Sequence, residues 1–515
     1  MKVKRFLMKR IIPFISAVCA ALAGCADINP DIYDQGDKDK DTVIVLKPSI
    51  DTTAVPKPEP EPDPKPDTDV TATPNYPVIL NDTGLSYMWD SSEIPEITIS
   101  ISEDEWNRLL FRYDEFSHNV DYFHADFTYR KGDEVFEIAD GGLRLRGNTS
   151  RRRPEGNGGQ AHDSINPDWH HCHFGINFRK YHKDDEHTIN GIRKINLKWF
   201  KDDPTYVREL FCYDLFRRYG IWTAAHDIYC RLWLKVGDAE PAYYGVYEMI
   251  EPVDDEFIER RVSRMFGSDE GFLWKCGWGE GPADLNGIDG SWSVDLDNGI
   301  NYTYEFKGDQ EDYEDAKAQL EHFILKLQAE REDFRNWIKN ACDVEFLLKT
   351  YAVNVAVGMC DDHWNNGNNF YIYFNSRDKY DYKFFFIPYD YDNTLGTSWN
   401  IGIMNDPGRQ DPYNWGDTGL LMERLMQFNE FKAIYKSALQ EIVDPAKGLM
   451  DTESSISRIQ AWQKMIEPYV SNDTGEDMSI SDEAASWGNL QNYKLLTTGF
   501  NNYFEIKAET IYYMD

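Results

Sequence analysis

Ser102 is followed three residues later by Glu105, and Trp106, Leu109 and Leu110 then recur at helical spacing, so a helix with a capping box is predicted to start there. Short apolar or alternating runs at 126–129, 135–138, 143–146, 174–178 and 192–197 predict strands. In the third run Leu143, Arg144, Leu145 and Arg146 alternate, which puts the two arginines on one face. Asp203-Pro204 opens a predicted helix to Tyr219, stopped by Gly220, with Val207, Leu210, Phe211, Asp214, Leu215 and Arg218 at helical spacing. Runs at 228–236 and 243–249 flank Gly237-Asp238 and predict a hairpin. After Asp309 the period turns helical: Tyr313, Ala316, Leu320, Phe323, Ile324, Leu327 and Phe334 mark one helix, and 344–357 a more apolar, buried one. A second hairpin spans 370–374 and 383–387, and from Gly419 onward the chain is mostly helical, apart from a loop near 472–479. Strands first, with one helix among them, then helices around a short hairpin predict an α+β molecule of two unequal lobes with a helical C-terminal region.

Composition supports a large core, with 41% hydrophobic and 14% aromatic residues. The 54 Lys+Arg against 89 Asp+Glu give a net charge of −35, which argues against a nucleic-acid partner because phosphate binding needs a basic face. The N-terminus departs from this. Lys2, Lys4, Arg5, Lys9 and Arg10 precede an apolar run at 11–23 that closes on Leu22-Ala23-Gly24-Cys25. This resembles a bacterial lipoprotein signal, which makes Cys25 the acylated first residue and a membrane anchor. Six aspartates from Asp27 to Asp41 and the proline-alternating stretch at 56–66 then read as an extended tether. Acidic residues behind a lipidated cysteine resemble surface-export signals of some Gram-negative lipoproteins, and a solvated periplasmic spacer is the alternative. The expected organisation is signal peptide 1–24, tether 25–75, folded domain 76–400 and a helical extension 401–515 packed on that domain, in the cell envelope. Cys172, Cys212, Cys230, Cys276, Cys342 and Cys360 permit disulfides in an exported chain but lack CxxC spacing, so neither a pairing nor a zinc site is assigned.

Two acidic constellations carry candidate chemistry. Asp361 and Asp362, with Asn365, Asn366, Asn368 and Asn369, follow the buried helix and precede the strand at 370–374. Asp390 and Asp392, in Asp390-Tyr391-Asp392-Asn393-Thr394-Leu395-Gly396, follow the strand at 383–387. A hairpin brings its ends together, so both loops can meet. Phosphoryl transfer requires a carboxylate at the acceptor hydroxyl, and an amide oxygen and a second carboxylate on metal. Asp361 to Asn366 has the five-residue step of the protein-kinase catalytic loop, and Asp362 to Asn368 is one longer.

Five segments in order resemble the CotH family of atypical protein kinases: Gly142-Leu143-Arg144-Leu145-Arg146-Gly147-Asn148-Thr149-Ser150, Asp203-Pro204-Thr205-Tyr206-Val207-Arg208-Glu209, Tyr244-Gly245-Val246-Tyr247-Glu248-Met249-Ile250-Glu251, Asn369-Phe370-Tyr371-Ile372-Tyr373 and Pro388-Tyr389-Asp390-Tyr391-Asp392-Asn393-Thr394-Leu395-Gly396. The resemblance runs from Glu93 to Trp399 and implies a two-lobed kinase-like fold, ATP and Mg²⁺ or Mn²⁺ binding, and transfer to a protein hydroxyl. It implies Asp362 as catalytic base with Asp361 as alternate, Asn368 or Asn366 as the metal-binding amide, and Asp390, aided by Asp392, as metal carboxylate. Glu209 then stands in the helix that corresponds to αC of a kinase, Glu251 to Val253 form the strand-to-helix hinge beside the adenine, and Gly147-Asn148-Thr149-Ser150 cover the phosphates. Where family members place lysines ahead of the strand at 174–178, this chain has His171-Cys172-His173. Lys198, Lys194 or Lys275, or Arg144 or Arg146, must then neutralise the phosphates.

Plainer readings exist for each. Arg144 and Arg146 also suit a solvated sheet face, and Glu209 a dipole-favoured helix start. The histidines at 162, 170, 171, 173, 182 and 187 invite a metal but lack ligand spacing, and Trp274, Trp278 and Trp292 suit a sugar platform or ordinary packing. Two rival functions remain. Asp390-x-Asp392-x-Thr394 after an apolar strand resembles the nucleophile motif of haloacid-dehalogenase-type phosphatases, which opens a doubly wound domain. A kinase fold without its lysine suits a binding or adhesion scaffold.

Overall fold

The computed structural model describes residues 82–262, 266–294, 301–398, 403–485 and 492–514; Cys25, the tether and the 400/401 boundary lie outside them. Helix α1 (Thr83–Met88) leads to strand β1 (Glu96–Ile101) and helix α2 (Glu103–Glu115), whose first turn is capped by the Ser102 hydroxyl accepting from Glu105 N–H at 3.2 Å. β2 (Phe123–Lys131) and β3 (Glu134–Arg146) form a long hairpin. β3 joins two of the predicted strands, because Asp140 takes φ +53° and its N–H finds the Asp126 carboxylate at 2.8 Å. β4 (His173–Asn177) and β5 (Lys194–Lys198) follow, then helix α3 (Arg208–Arg218) and the expected hairpin β6 (Asp227–Val236) and β7 (Ala242–Ile250). α3 starts four residues later than Asp203-Pro204 suggests, since Tyr206 at φ +62° cannot continue a helix.

These strands close into a seven-stranded barrel in the order β1-β2-β3-β4-β5-β7-β6, sealed by the parallel pairing of β1 with β6. Ile97, Phe127, Leu143, Phe174, Ile195 and Leu232 pack in its core. Beyond helix α4 (Asp255–Glu259) come β8 (Phe272–Cys276), β9 (Trp292–Val294) and β10 (Tyr304–Phe306), then helices α5 (Tyr313–Leu327), α6 (Arg331–Ala341) and α7 (Val344–Ala356), and the hairpin β11 (Phe370–Phe374) and β12 (Phe384–Pro388). Phe334 therefore belongs to α6 and not to the helix that starts at Tyr313. The second sheet runs β12-β11-β8-β10-β9 and is antiparallel except for β9–β10, so the described residues contain no doubly wound parallel domain of the phosphatase type.

Helices α8 (Leu420–Leu425), α9 (Asn429–Val443), α10 (Thr452–Ile466) and α11 (Tyr503–Tyr512) complete the chain. Their buried faces share one core with α7, β11 and α3, through Leu439, Trp462, Phe504, Leu348, Ile372 and Phe211. α3 thus lies between barrel strands in sequence but packs with the second core, which couples the two.

Candidate functional site

Lys198 ends β5 and is 9% exposed. Its ammonium donates to the Glu209 carboxylate in the first turn of α3 and, at 2.7 Å, to Asp390, with Asp392 at 4.0 Å. α3 also grips the Asp390 loop directly. Tyr391 N–H donates to Glu209 at 3.2 Å, Asp390 N–H to the Tyr213 hydroxyl at 3.1 Å, and the Cys212 thiol lies 3.2 Å from Thr394 Oγ1. Asp390 is held at φ +62°, a strained setting for a non-glycine residue of the kind that surrounding structure must enforce.

Oxygens of Glu209, Asp390 and Asp392 lie within 4.8 Å of one another. Burial raises Asp390, but the Lys198 ammonium outweighs it and the carboxyl sits below its ordinary value. Burial and then the Asp390 charge push Asp392 well up, with Glu209 and Asp361 adding to the effect. A hard divalent cation fits this donor set, since oxygen ligands suit Mg²⁺ or Mn²⁺ and the crowded negative charge lacks sufficient compensation.

The two neighbouring aspartates separate in space. Asp362 is 3% exposed and faces the core, where its carboxylate accepts from the Tyr351 hydroxyl at 2.6 Å, from the Asn354 amide and from Asn365 N–H at 2.7 Å. Burial raises it to about 6. Asp361 turns the other way. Its carboxylate accepts from the amides of Asn366 at 2.5 Å, Asn368 at 3.0 Å and Asn369 at 3.0 Å, and burial together with the charge of Asp390 raises it. Asp361 thus faces the acidic cluster, whereas Asp362, the expected base, is engaged by α7 and its own loop. Asn368 spends its amide oxygen on Trp278 N–H at 2.9 Å, so Asn366 is the better placed amide for metal.

Residues 143–496 match the family described as CotH kinase protein, about two-thirds of the chain. The chain belongs to the CotH kinase protein family. No curated protein matches it. The family match covers both acidic loops and extends well past position 400 into the C-terminal helices, in keeping with the core they share with α7.

Around this CotH centre the remaining candidates divide. Arg146 donates to the Tyr389 hydroxyl at 3.1 Å, beside Asp390, and its charge helps lower that carboxyl. Arg144 instead lies over the Tyr122 ring at 5.3 Å. Gly147 has φ +100°, and a Cβ there would meet Ser150 Oγ at 2.7 Å, so the turn needs glycine; Asn148 accepts from the Asn301 amide at 2.9 Å. Lys275 lies on β8 between β10 and β11, where its charge reaches Asp390. Lys194 is taken by Asp254 and Asp255, both at 2.7 Å. Glu251 has no carboxylate to spare for a nucleotide, because Arg261 at 2.6 Å and His226 at 2.8 Å engage it.

The histidine stretch disperses: His162 bonds Glu155, His171 faces the Tyr244 carbonyl, and His173 accepts from Trp199 N–H at 3.1 Å. Burial holds His173 well below its ordinary value, so it does not replace a lysine's charge. Trp274 is buried and packs on Trp292, leaving only Trp278 of that trio exposed. The six cysteines within the described residues are buried free thiols. Sequence reasoning missed Glu248 and Asp227, buried acids behind Lys198. Glu248 pairs across from Lys198 in the sheet, burial and then Glu209 raise it well up, and burial brings Asp227 to about 7 against the pull of Arg217. Glu248 lies inside a family segment, which was its one visible signal.

Proposed function

We propose that this CotH protein is a protein kinase of the cell envelope, transferring the terminal phosphoryl group of a nucleoside triphosphate such as ATP to a protein hydroxyl. One observation carries the reading: Lys198 bonds Glu209 on a helix and Asp390 on a metal-competent loop at once. That is the arrangement a phosphate-positioning lysine requires. It also offers a candidate for the lysine whose absence was one ground for the scaffold reading, the other being an exported location without an obvious ATP supply.

In this reading the barrel and the second sheet with its helices are the two lobes of a kinase-like fold, and the nucleotide lies between them. Arg146, Lys198 and Lys275 offset phosphate charge, and the Gly147–Asn148 turn covers the phosphates. Asp390, Asp392 and Asn366 would hold Mg²⁺ or Mn²⁺, which supplies charge neutralisation at the phosphates. Asp361 accepts the proton of the acceptor hydroxyl as its oxygen bonds to the terminal phosphorus. The bond from that phosphorus to the bridging oxygen breaks, and the nucleoside diphosphate leaves with its electron pair. Asn366, Asn368 and Asn369 hold the Asp361 carboxylate in place, so catalysis is largely positioning and electrostatics.

The test is transfer of label from ATP by the purified protein with and without Mn²⁺. Absence of both transfer and metal-dependent nucleotide binding would leave the scaffold reading in its place. We also place the protein on a bacterial membrane through acylated Cys25, exposed at the surface or facing the periplasm. Cys25→Ser should move it from the membrane to the soluble exported fraction, and unchanged membrane association would rule out that anchor.

A further inference from the structure

Residues 469–482 form no helix or strand beyond the turn at their start, yet they touch both the barrel and the approach to α3. On the barrel side Asp473 N–H donates to the Tyr243 carbonyl at 2.8 Å while Tyr243 N–H donates to the Asp473 carboxylate at 2.7 Å. The Tyr243 hydroxyl donates to the Tyr469 carbonyl at 2.7 Å, and Arg152 holds Glu476 through two bonds of 2.9 and 2.7 Å. Glu476 also accepts from His171 N–H at 3.1 Å. The segment's own shape is set by Asn472, whose amide donates to the carbonyls of Val470 and Glu476, both at 2.9 Å. It sits so close to β7 that a Cβ at Gly245, itself at φ +90°, would come within 3.2 Å of Asn472.

On its other side the segment holds 204–206, the residues just before α3. Tyr206 OH donates to the Asp477 carbonyl, Ser481 N–H donates to the Pro204 carbonyl at 2.9 Å, and the Gln463 amide of α10 donates to the Thr205 carbonyl at 3.0 Å. Tyr206 carries the strained φ of +62°, which persists only where neighbours over-determine it. Three residues later stands Glu209, bonded to Lys198.

We propose that 469–482 is a built-in positioning strap: by clamping 204–206 to the barrel it fixes the first turn of α3, and so holds Glu209 against Lys198 and Asp390. This deepens the kinase reading and rests on it for its catalytic consequence, but not for its structural one. Glu476 and Tyr206 are positioning residues and touch no reacting atom.

Two readouts on the full chain separate the two. Amide hydrogen exchange of Phe211, whose N–H closes the first turn of α3 on the Val207 carbonyl at 2.8 Å, is compared between the parent, Tyr206→Phe, Glu476→Gln and the double variant, with β2–β3 amides as reference. The strap predicts exchange at least about tenfold faster in the first turn of α3, unchanged exchange in β2–β3, and the largest effect in the double variant. In transfer assays, kcat should fall by about tenfold to a hundredfold with nucleotide KM changed less than about threefold, and Glu476→Asp should recover part of the loss. Unchanged exchange in α3, or a rise shared equally by α3 and β2–β3, would overturn the strap. Should the double variant fail to fold, Tyr206→Phe, which loses a single hydroxyl, decides by the same criterion. An inactive parent with locally faster α3 exchange would keep the strap and overturn the kinase reading instead.

Discussion

Asp361 and Asp362 are chemically identical and adjacent, and only their surroundings assign them different work. Their order could not be read from the chain, because both the five-residue and the six-residue steps to an asparagine are present; Tyr351 and Asn354 on α7 decide it by engaging Asp362 from within the core. Lys198 was one of five candidate cations, and Glu209 selects it from a helix that begins ten residues on. Lys507 shows how far a buried group can depart from its usual state. It lies on α11, fully buried over the Trp415 ring at 4.5 Å, and its nitrogen has no hydrogen-bond partner among the described residues. Burial lowers it to about 7 against the pull of Asp406, from 10.5. Between those values the unfolded chain binds a proton that the folded chain does not, so stability should rise as pH rises from about 7 to about 10. Lys507→Met should be more stable than the parent by about 1 kcal/mol or more at pH 7 and show a flatter pH dependence, measured by urea denaturation at pH 7 and 9.5. A less stable methionine variant would contradict this.

At the scale of elements, α3 does the most to assemble the site, and its start is made by Asp203. That carboxylate accepts from Val207 and Arg208 N–H, both at 3.0 Å, and pairs with the Arg208 guanidinium, which is 1% exposed. Asp203→Ala would leave that charge buried and alone, and should cost about 3–5 kcal/mol in chemical denaturation. A loss below about 1 kcal/mol would mean that Arg208 finds another partner. The chain signalled this helix through Asp203-Pro204 but misplaced its first turn, because Tyr206 N–H closes a turn on the Asp203 carbonyl at 3.1 Å while distant partners, the Asp477 carbonyl and the Tyr229 hydroxyl, hold Tyr206 out of the helix. Both hairpins were legible, since Gly237 at φ +60° and the polar stretch at 375–383 between two aromatic-rich runs are local features. β8, β9 and β10 were not. They are three to five residues long, and only the pairing of β8 with β11 and β10, and of β10 with β9, distinguishes them from apolar loop.

For the whole molecule, the division into strands and then helices was readable from periodicity, but the closed barrel was not. It depends on β1 lying parallel to β6, a pairing of residues 96–101 with 231–236 that no local pattern encodes. The C-terminal helices read as an extension packed on the folded domain, and their apolar faces complete the core under α7 and α3. On the proposed reading Asp361, Lys198 and Asp390 form one phosphoryl-transfer centre. The deciding measurement is transfer of label from ATP in Mn²⁺ by the parent, Asp361→Ala, Asp390→Ala, Lys198→Ala and, as a comparison outside the centre, Lys194→Ala. The parent and Lys194→Ala should transfer label, and the other three should lose about a hundredfold or more. Equal transfer by the parent and both aspartate variants would contradict it.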